Sequence, residues 1–128
     1  MSDLSIGDKL NNDLVKLFNY KELHNIKGYV QVTTPFILAD GTNLDLFIKS
    51  EDDYYLVTDL GETYGWFCQT RVEDTKFMEI VKIQSDLLVA YGVTEKDGQL
   101  RILVTKHKNL AEAVIRLAEL VSLLTKLV

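Results

Sequence analysis

Leu10, Leu14, Val15, Leu17 and Phe18 recur at intervals of three and four, the spacing that lines one face of a helix, and predict a helix from about Ile6 to Tyr20. From Gly28 the pattern changes to alternation. Tyr29, Val30, Val32, Thr33 and Thr34 are β-formers, and the run resumes after Pro35 through Phe36, Ile37 and Leu38. Pro35 has no amide to donate, so it marks an edge or a bulge. Asp40-Gly41 supplies a tight turn, and Leu44, Leu46 and Ile48 then alternate with Asp45, Phe47 and Lys49. After a turn at Glu51-Asp52-Asp53, the stretch from Tyr54 to Thr58 makes a third strand, so an antiparallel three-strand meander is expected.

Asp59 ends that sheet. Its carboxylate is placed to cap a helix from Leu60 to about Thr70, with Glu62 reaching back to the cap amide. A longer helix fits Glu73 to Tyr91, with Phe77, Ile80, Val81, Leu87 and Leu88 on one face and Gly92 as its C-cap. Val93 to Glu95, a Lys96-Asp97-Gly98 turn and Leu100 to Thr105 form a second hairpin. The final helix starts at the Asn109 cap and runs about 19 residues to the end. This order defines a single α+β domain over residues 1–128: an N-terminal helix, an antiparallel sheet from the meander and the second hairpin, and packed helices.

The last helix is apolar over most of its circumference, leaving Glu112, Arg116, Glu119, Ser122 and Lys126 as a narrow polar ribbon. Either it is the central core helix or a partner covers part of it. The expected partner is a second copy, meeting it at Leu117, Leu120, Val121 and Leu124. A structural subunit of a larger assembly would use the same face.

Composition narrows the function classes. With 47% hydrophobic and 26% charged residues in 128, the chain is an ordinary globular one. The charged ribbon of the last helix argues against a bilayer span. A single cysteine, Cys68, and no cleavable leader pattern point to the cytoplasm. Its formal net charge of -5 disfavours direct nucleic-acid binding. Residues 1–40, 41–75 and 76–128 carry -1, -6 and +2, so the negative excess lies in the middle third.

That third holds the candidate binding residues: Asp45, Asp52, Asp53, Tyr54, Asp59, Glu62, Tyr64 and Trp66. Carboxylates beside aromatic rings suit a protein-binding surface, with the rings as anchors and the acids as rim. The competing class is a metal-dependent hydrolase or nuclease using Asp45, Asp59 and Glu62, since grouped carboxylates hold divalent cations. Each acid also has a plain structural use, in a turn or a cap, so no catalytic or metal residue is assigned. Asp74-Thr75-Lys76 matches a nuclease-type triplet but falls at a helix start. His24 and His107 are too isolated for zinc, and Cys68 reads as a small buried hydrophobe. Gly61 and Gly65 meet neither nucleotide-loop signature, so no cofactor is expected.

The stretch from Asp40-Gly41 to Lys49, the string Tyr55-Leu56-Val57-Thr58-Asp59-Leu60-Gly61-Glu62-Thr63, Tyr91-Gly92-Val93 and the Gly98 hairpin together resemble domain-of-unknown-function family 1828 over most of residues 28–125. The resemblance implies a small bacterial protein, often prophage-associated, and carries no catalytic residue to any position. One departure is Leu60, where family members often have a second acid. The expectation is therefore a non-enzymatic module that offers its acidic segment to a basic host protein, one that handles nucleic acid or serves defence, and inhibits it by occupying the positions phosphates would take.

Overall fold

Among the described residues, alternating β-formers and two long helices build a sheet, a helix across it, and a second helix on the first. The computed structural model describes Ile6 and residues 19–22, 28–38, 40–63, 65, 74–106 and 108–126. Its elements are β1 (Asn19–Glu22), β2 (Tyr29–Ile37), β3 (Asn43–Ser50), β4 (Tyr54–Thr58), α1 (Asp74–Tyr91), β5 (Thr94–Lys96), β6 (Gln99–Thr105) and α2 (Leu110–Thr125).

All strands join one six-stranded antiparallel sheet in the order β1-β2-β3-β4-β6-β5. Two features differ from the expected three-strand meander and separate hairpin. A further strand, β1, precedes β2, and the hairpin docks through β6, which pairs with β4. β6 docks because its buried Leu100, Ile102 and Val104 continue the apolar face begun by Tyr55 and Val57, whereas β5 is exposed throughout and stays at the edge. Asn19 and Tyr20, expected at the end of the first helix, are strand residues that pair with Thr33 and Val32. That pairing satisfies outer backbone groups of β2 that a helix would leave open. Ile6 is helical and buried, and the rest of that helix expectation lies outside the described residues.

Pro35 sits in a bulge, where the β2–β3 register shifts between Thr33 and Ile37. The Thr34 hydroxyl replaces part of the lost ladder, donating to the Leu44 carbonyl at 2.9 Å and accepting from the Phe36 amide at 3.3 Å.

α2 crosses the sheet over β2, β3, β4 and β6, and α1 packs on α2. Asn109 caps α2 by accepting from the Glu112 amide at 2.9 Å. Leu117, Leu120, Val121 and Leu124 are all buried in the chain's own core, together with Leu110, Val114 and Ala118. The sheet covers one side of α2 and α1 the other, so these four residues are not offered to a second copy. The wide apolar stripe is that of a central core helix.

α1 begins at Asp74 and ends in a Schellman motif: the Gly92 amide donates to Val89 O at 3.2 Å and the Val93 amide to Leu88 O at 2.9 Å. Of its expected inner face, Leu87 and Leu88 pack against the core, whereas Val81 is exposed, and the Phe77 and Ile80 side chains lie outside the description. Packing on one helix covers less of α1 than packing on a sheet would. No helix among the described residues is long and apolar enough to cross a membrane.

Candidate functional site

The β4 exit is closely hydrogen-bonded, and it begins with Thr58. That hydroxyl donates to Gln99 Oε1 at 3.2 Å and accepts from the Leu60 amide at 3.1 Å. Leu60 and Gly61 then both take left-handed backbone angles, φ 53 and 82, so the chain turns sharply and the helix expected from Leu60 begins at Glu62. Glycine suits that angle, and it also lets the turn lie close to the β5–β6 hairpin: a Cβ on Gly61 would stand 3.4 Å from the Gly98 carbonyl.

Asp59 holds the turn in place and is only 1% exposed. Its Oδ1 accepts from the Gly61 amide at 2.9 Å and from the Leu100 amide at 2.9 Å, and its Oδ2 accepts from the Thr63 amide at 3.2 Å. Its own amide donates to the Leu100 carbonyl at 3.2 Å. The expected capping box with Glu62 is therefore not made, because the amide Glu62 would accept from is already given to β6. Asp59 is a buried clamp between the turn and β6, and does not belong to an exposed partner surface.

Glu62, Thr63 and Gly65 are helical, with the Glu62 amide donating to Asp59 O at 3.1 Å and the Gly65 amide to Gly61 O at 3.0 Å, and the rest of the helix expected to about Thr70 lies outside the described residues. Here the bonding capacity is not used up. The Glu62 side chain is exposed and its carboxylate has no bonding partner among the described residues. Thr63 is 3% exposed, yet its Oγ1 is buried with no hydrogen-bond partner. Both residues line a cavity of about 120 Å³ whose other walls among the described residues are Leu38, Leu44, Asp59, Val121 and Thr125. The lining is almost wholly apolar apart from this acidic end.

Electrostatics at that end are one-sided. Partial burial and then the like charges of Asp45 and Asp59 push the Glu62 carboxyl above its ordinary value. Asp45, on β3, is fixed by Gln31 Nε2 at 2.9 Å and Thr33 Oγ1 at 2.7 Å. Val121 and Thr125 bring the last turn of α2 to the cavity wall, a turn without a basic side chain, with the exposed Lys126 at the cap beyond it. A helix C-terminus adds a partial negative charge.

The sequence treated the acids from Asp45 to Glu62 as one segment, but the fold splits them. Asp45, Asp59 and Glu62 lie at one end of β4, Asp59 and Glu62 on the cavity and Asp45 near enough for its charge to act on Glu62. Asp52, Asp53 and Tyr54 lie at the other, about 16 Å away along a five-residue strand. Asp52 and Asp53 are exposed in the β3–β4 turn, and lysines are set among them. Lys49 pairs with Glu51 at 3.3 Å, the Lys106 amide donates to Asp53 O at 3.3 Å, and Lys106 Nζ bonds Ser50 Oγ and lies 4.1 Å from the Tyr55 ring centre. Tyr64 and Trp66 lie outside the described residues, as do His24, Cys68 and His107. Asp74-Thr75-Lys76 opens α1 and so is helical, as its place at a helix start implied.

Asp45 and Asp59 spend their oxygens on protein donors, and no group of three potential metal ligands occurs among the described residues. Sequence reasoning did not find Leu38, Leu44 and Thr125 as cavity walls, and Val121, read as an oligomer contact, is a wall as well. Only the second threonine of the Thr-Asp-Leu-Gly-Glu-Thr string pointed there.

The fold and site define a small α+β protein with an apolar cavity under an acidic mouth. It belongs to the family described as Domain of unknown function DUF1828, whose model matches residues 34–122 and so contains every cavity residue except Thr125. No curated protein and no solved structure matches the chain.

Proposed function

We propose that the protein is a non-enzymatic binding module that presents the Asp45–Asp59–Glu62 end of its sheet to a basic protein. The observation that carries this reading is the exposed Glu62 carboxylate at the cavity, which has the like charges of Asp45 and Asp59 near it and no ion-pair partner among the described residues. Unpaired like charges cost the fold something, and a cation brought by a partner removes that cost. The partner class that suits such a surface is a protein whose basic face handles nucleic acid. Carboxylates seated on that face exclude phosphate and so inhibit it.

The β3–β4 turn is the weaker half of the acidic segment, because Lys49 and Lys106 stand among its acids. Titration calorimetry with poly-L-lysine at two salt concentrations separates the two ends. Asp45→Asn with Glu62→Gln is expected to weaken association severalfold and flatten its salt dependence, while Asp52→Asn with Asp53→Asn leaves both near wild type. Absence of salt-dependent association, or equal losses in the two double variants, overturns the proposal.

A further inference from the structure

Inside the cavity the polar side chains are engaged or out of reach. Asp59 holds three amides with its oxygens, the Thr125 hydroxyl donates to the Ser122 carbonyl at 3.1 Å, and Thr63 Oγ1 is buried beyond contact with any group in the space. The walls Leu38, Leu44 and Val121 are hydrocarbon. Among the described lining residues only Glu62 is exposed and Leu38 half-buried, so the cavity opens between these two, with Glu62 at its rim.

An occupant therefore enters apolar end first. A charged group led past the rim would lose its water and find no partner, whereas an aliphatic group gains from burial and leaves a cation beside it free to meet Glu62 outside. Size selects the aliphatic group. A cavity of about 150 Å³ takes benzene, with six heavy atoms, and by that ratio about 120 Å³ takes about five. The leucine and isoleucine side chains have four heavy atoms, and that of phenylalanine has seven. Charge selects what stands next to it: Glu62 has Asp45 and Asp59 near it and the C-terminus of α2 at the cavity wall, so an acidic neighbour is repelled and a basic one favoured.

Resting on the binding reading above, we propose that the cavity is an anchor pocket: a leucine or isoleucine side chain of the partner protein fills it, against Leu38, Leu44 and Val121, while a lysine or arginine beside that residue stays outside and pairs with Glu62. The two contacts divide the work. The desolvated anchor supplies affinity, and the exposed ion pair supplies orientation and partner choice.

Chemical-shift titration of the whole protein, followed at backbone amides and at the Leu38, Leu44 and Val121 methyls, tests this with short capped peptides that differ in one residue. A Leu-Lys peptide is expected to shift those methyls and the Glu62 amide, and to bind at least threefold more tightly than its Ala-Lys and Leu-N-acetyl-lysine counterparts. Phe-Lys should bind no better than Ala-Lys. Glu62→Gln changes an exposed side chain and is expected to fold; it should erase the difference between lysine and N-acetyl-lysine while keeping that between leucine and alanine. Equal binding of Ala-Lys and Leu-Lys, or no response of the three methyls at saturation, overturns the anchor pocket, and if poly-L-lysine still binds in a Glu62-sensitive way the acidic surface stands without it. Equal binding of Leu-Lys and Leu-N-acetyl-lysine overturns the pairing with Glu62 and so the proposal. n-Butanol bound as tightly as Leu-Lys overturns the protein source. If the peptides and poly-L-lysine are all silent, both readings fail.

Discussion

Replacing Asp59 separates a clamp from a surface acid most sharply. In Asp59→Ala three amides lose a charged acceptor. The Gly61 and Thr63 amides belong to a turn that includes the exposed Glu62, so water replaces part of what they lose, and their share is that of a helix cap, about 0.5–2 kcal/mol. The Leu100 amide belongs to a residue with no exposed surface, and leaving it unsatisfied costs about 1–3 kcal/mol. The total is about 2–5 kcal/mol, a large part of the stability of a domain of this size. Asp59→Asn is the finer probe. Its carbonyl can still accept from Gly61 and Leu100, but its amide then faces the Thr63 N–H, donor against donor, for an expected loss of about 1–3 kcal/mol. Urea unfolding followed by far-ultraviolet circular dichroism gives both values, and hydrogen exchange at Leu100 shows whether the cross-sheet bond was the one lost. A cap alone would leave Leu100 protection unchanged. If Asp59→Ala costs less than about 1 kcal/mol, or Leu100 exchanges no faster in it, the clamp is wrong.

Thr63→Val removes an unpaired buried hydroxyl at constant shape and is expected to stabilise the protein by about 1 kcal/mol in the same urea assay. Glu62→Gln carries a pH signature. The folded carboxyl titrates above its ordinary 4.5, so ionisation works against the fold, and wild-type stability falls as pH rises from 4.5 through the higher folded value. The variant should therefore be the more stable at neutral pH, by less than about 1 kcal/mol at this exposed site, with the difference gone below about pH 4 in melting curves. Leu120→Ala should cost about 2–5 kcal/mol and leave a melting temperature that does not depend on protein concentration; a concentration-dependent value would return the helix to an intermolecular interface. Gly92→Ala should cost about 1–2 kcal/mol by chemical denaturation, since the glycine has φ 67 and an added Cβ would stand 3.0 Å from Arg116 Nη1.

Local patterns carried the elements well. Alternation marked β2, β3, β4 and β6, Asp97-Gly98 marked a turn with both residues at positive φ, and Asn109 and Gly92 marked helix ends, because each depends on neighbours a few positions apart. What failed depended on distance. The four-residue β1 is explained by its pairing to β2, which no short window contains. Whether the broad stripe of α2 faced a sheet and a helix or a second chain also lay beyond periodicity, because both demand the same residues. The acids from Asp45 to Glu62 are contiguous in sequence, but a strand between them carries the two ends of the segment apart.

The Thr-Asp-Leu-Gly-Glu-Thr string gains its meaning once its hydrogen bonds are counted. Thr58 and Asp59 have filled theirs, internally and across to β6, and Gly61 supplies the backbone angle that the turn requires. Those positions form the turn, and replacing them should damage the fold. Glu62 and Thr63 are held by the same turn through their backbones while their side chains keep capacity unspent, one as an unpaired charge and the other as a buried hydroxyl. A fold does not benefit from keeping such groups unbonded, since an isosteric valine or glutamine would serve stability better. For Glu62 the cost becomes intelligible when a cation from outside meets the exposed carboxylate. Asp45 and Asp59 then act at a distance, their charges making the mouth attractive to a cation while their own bonds keep them in place.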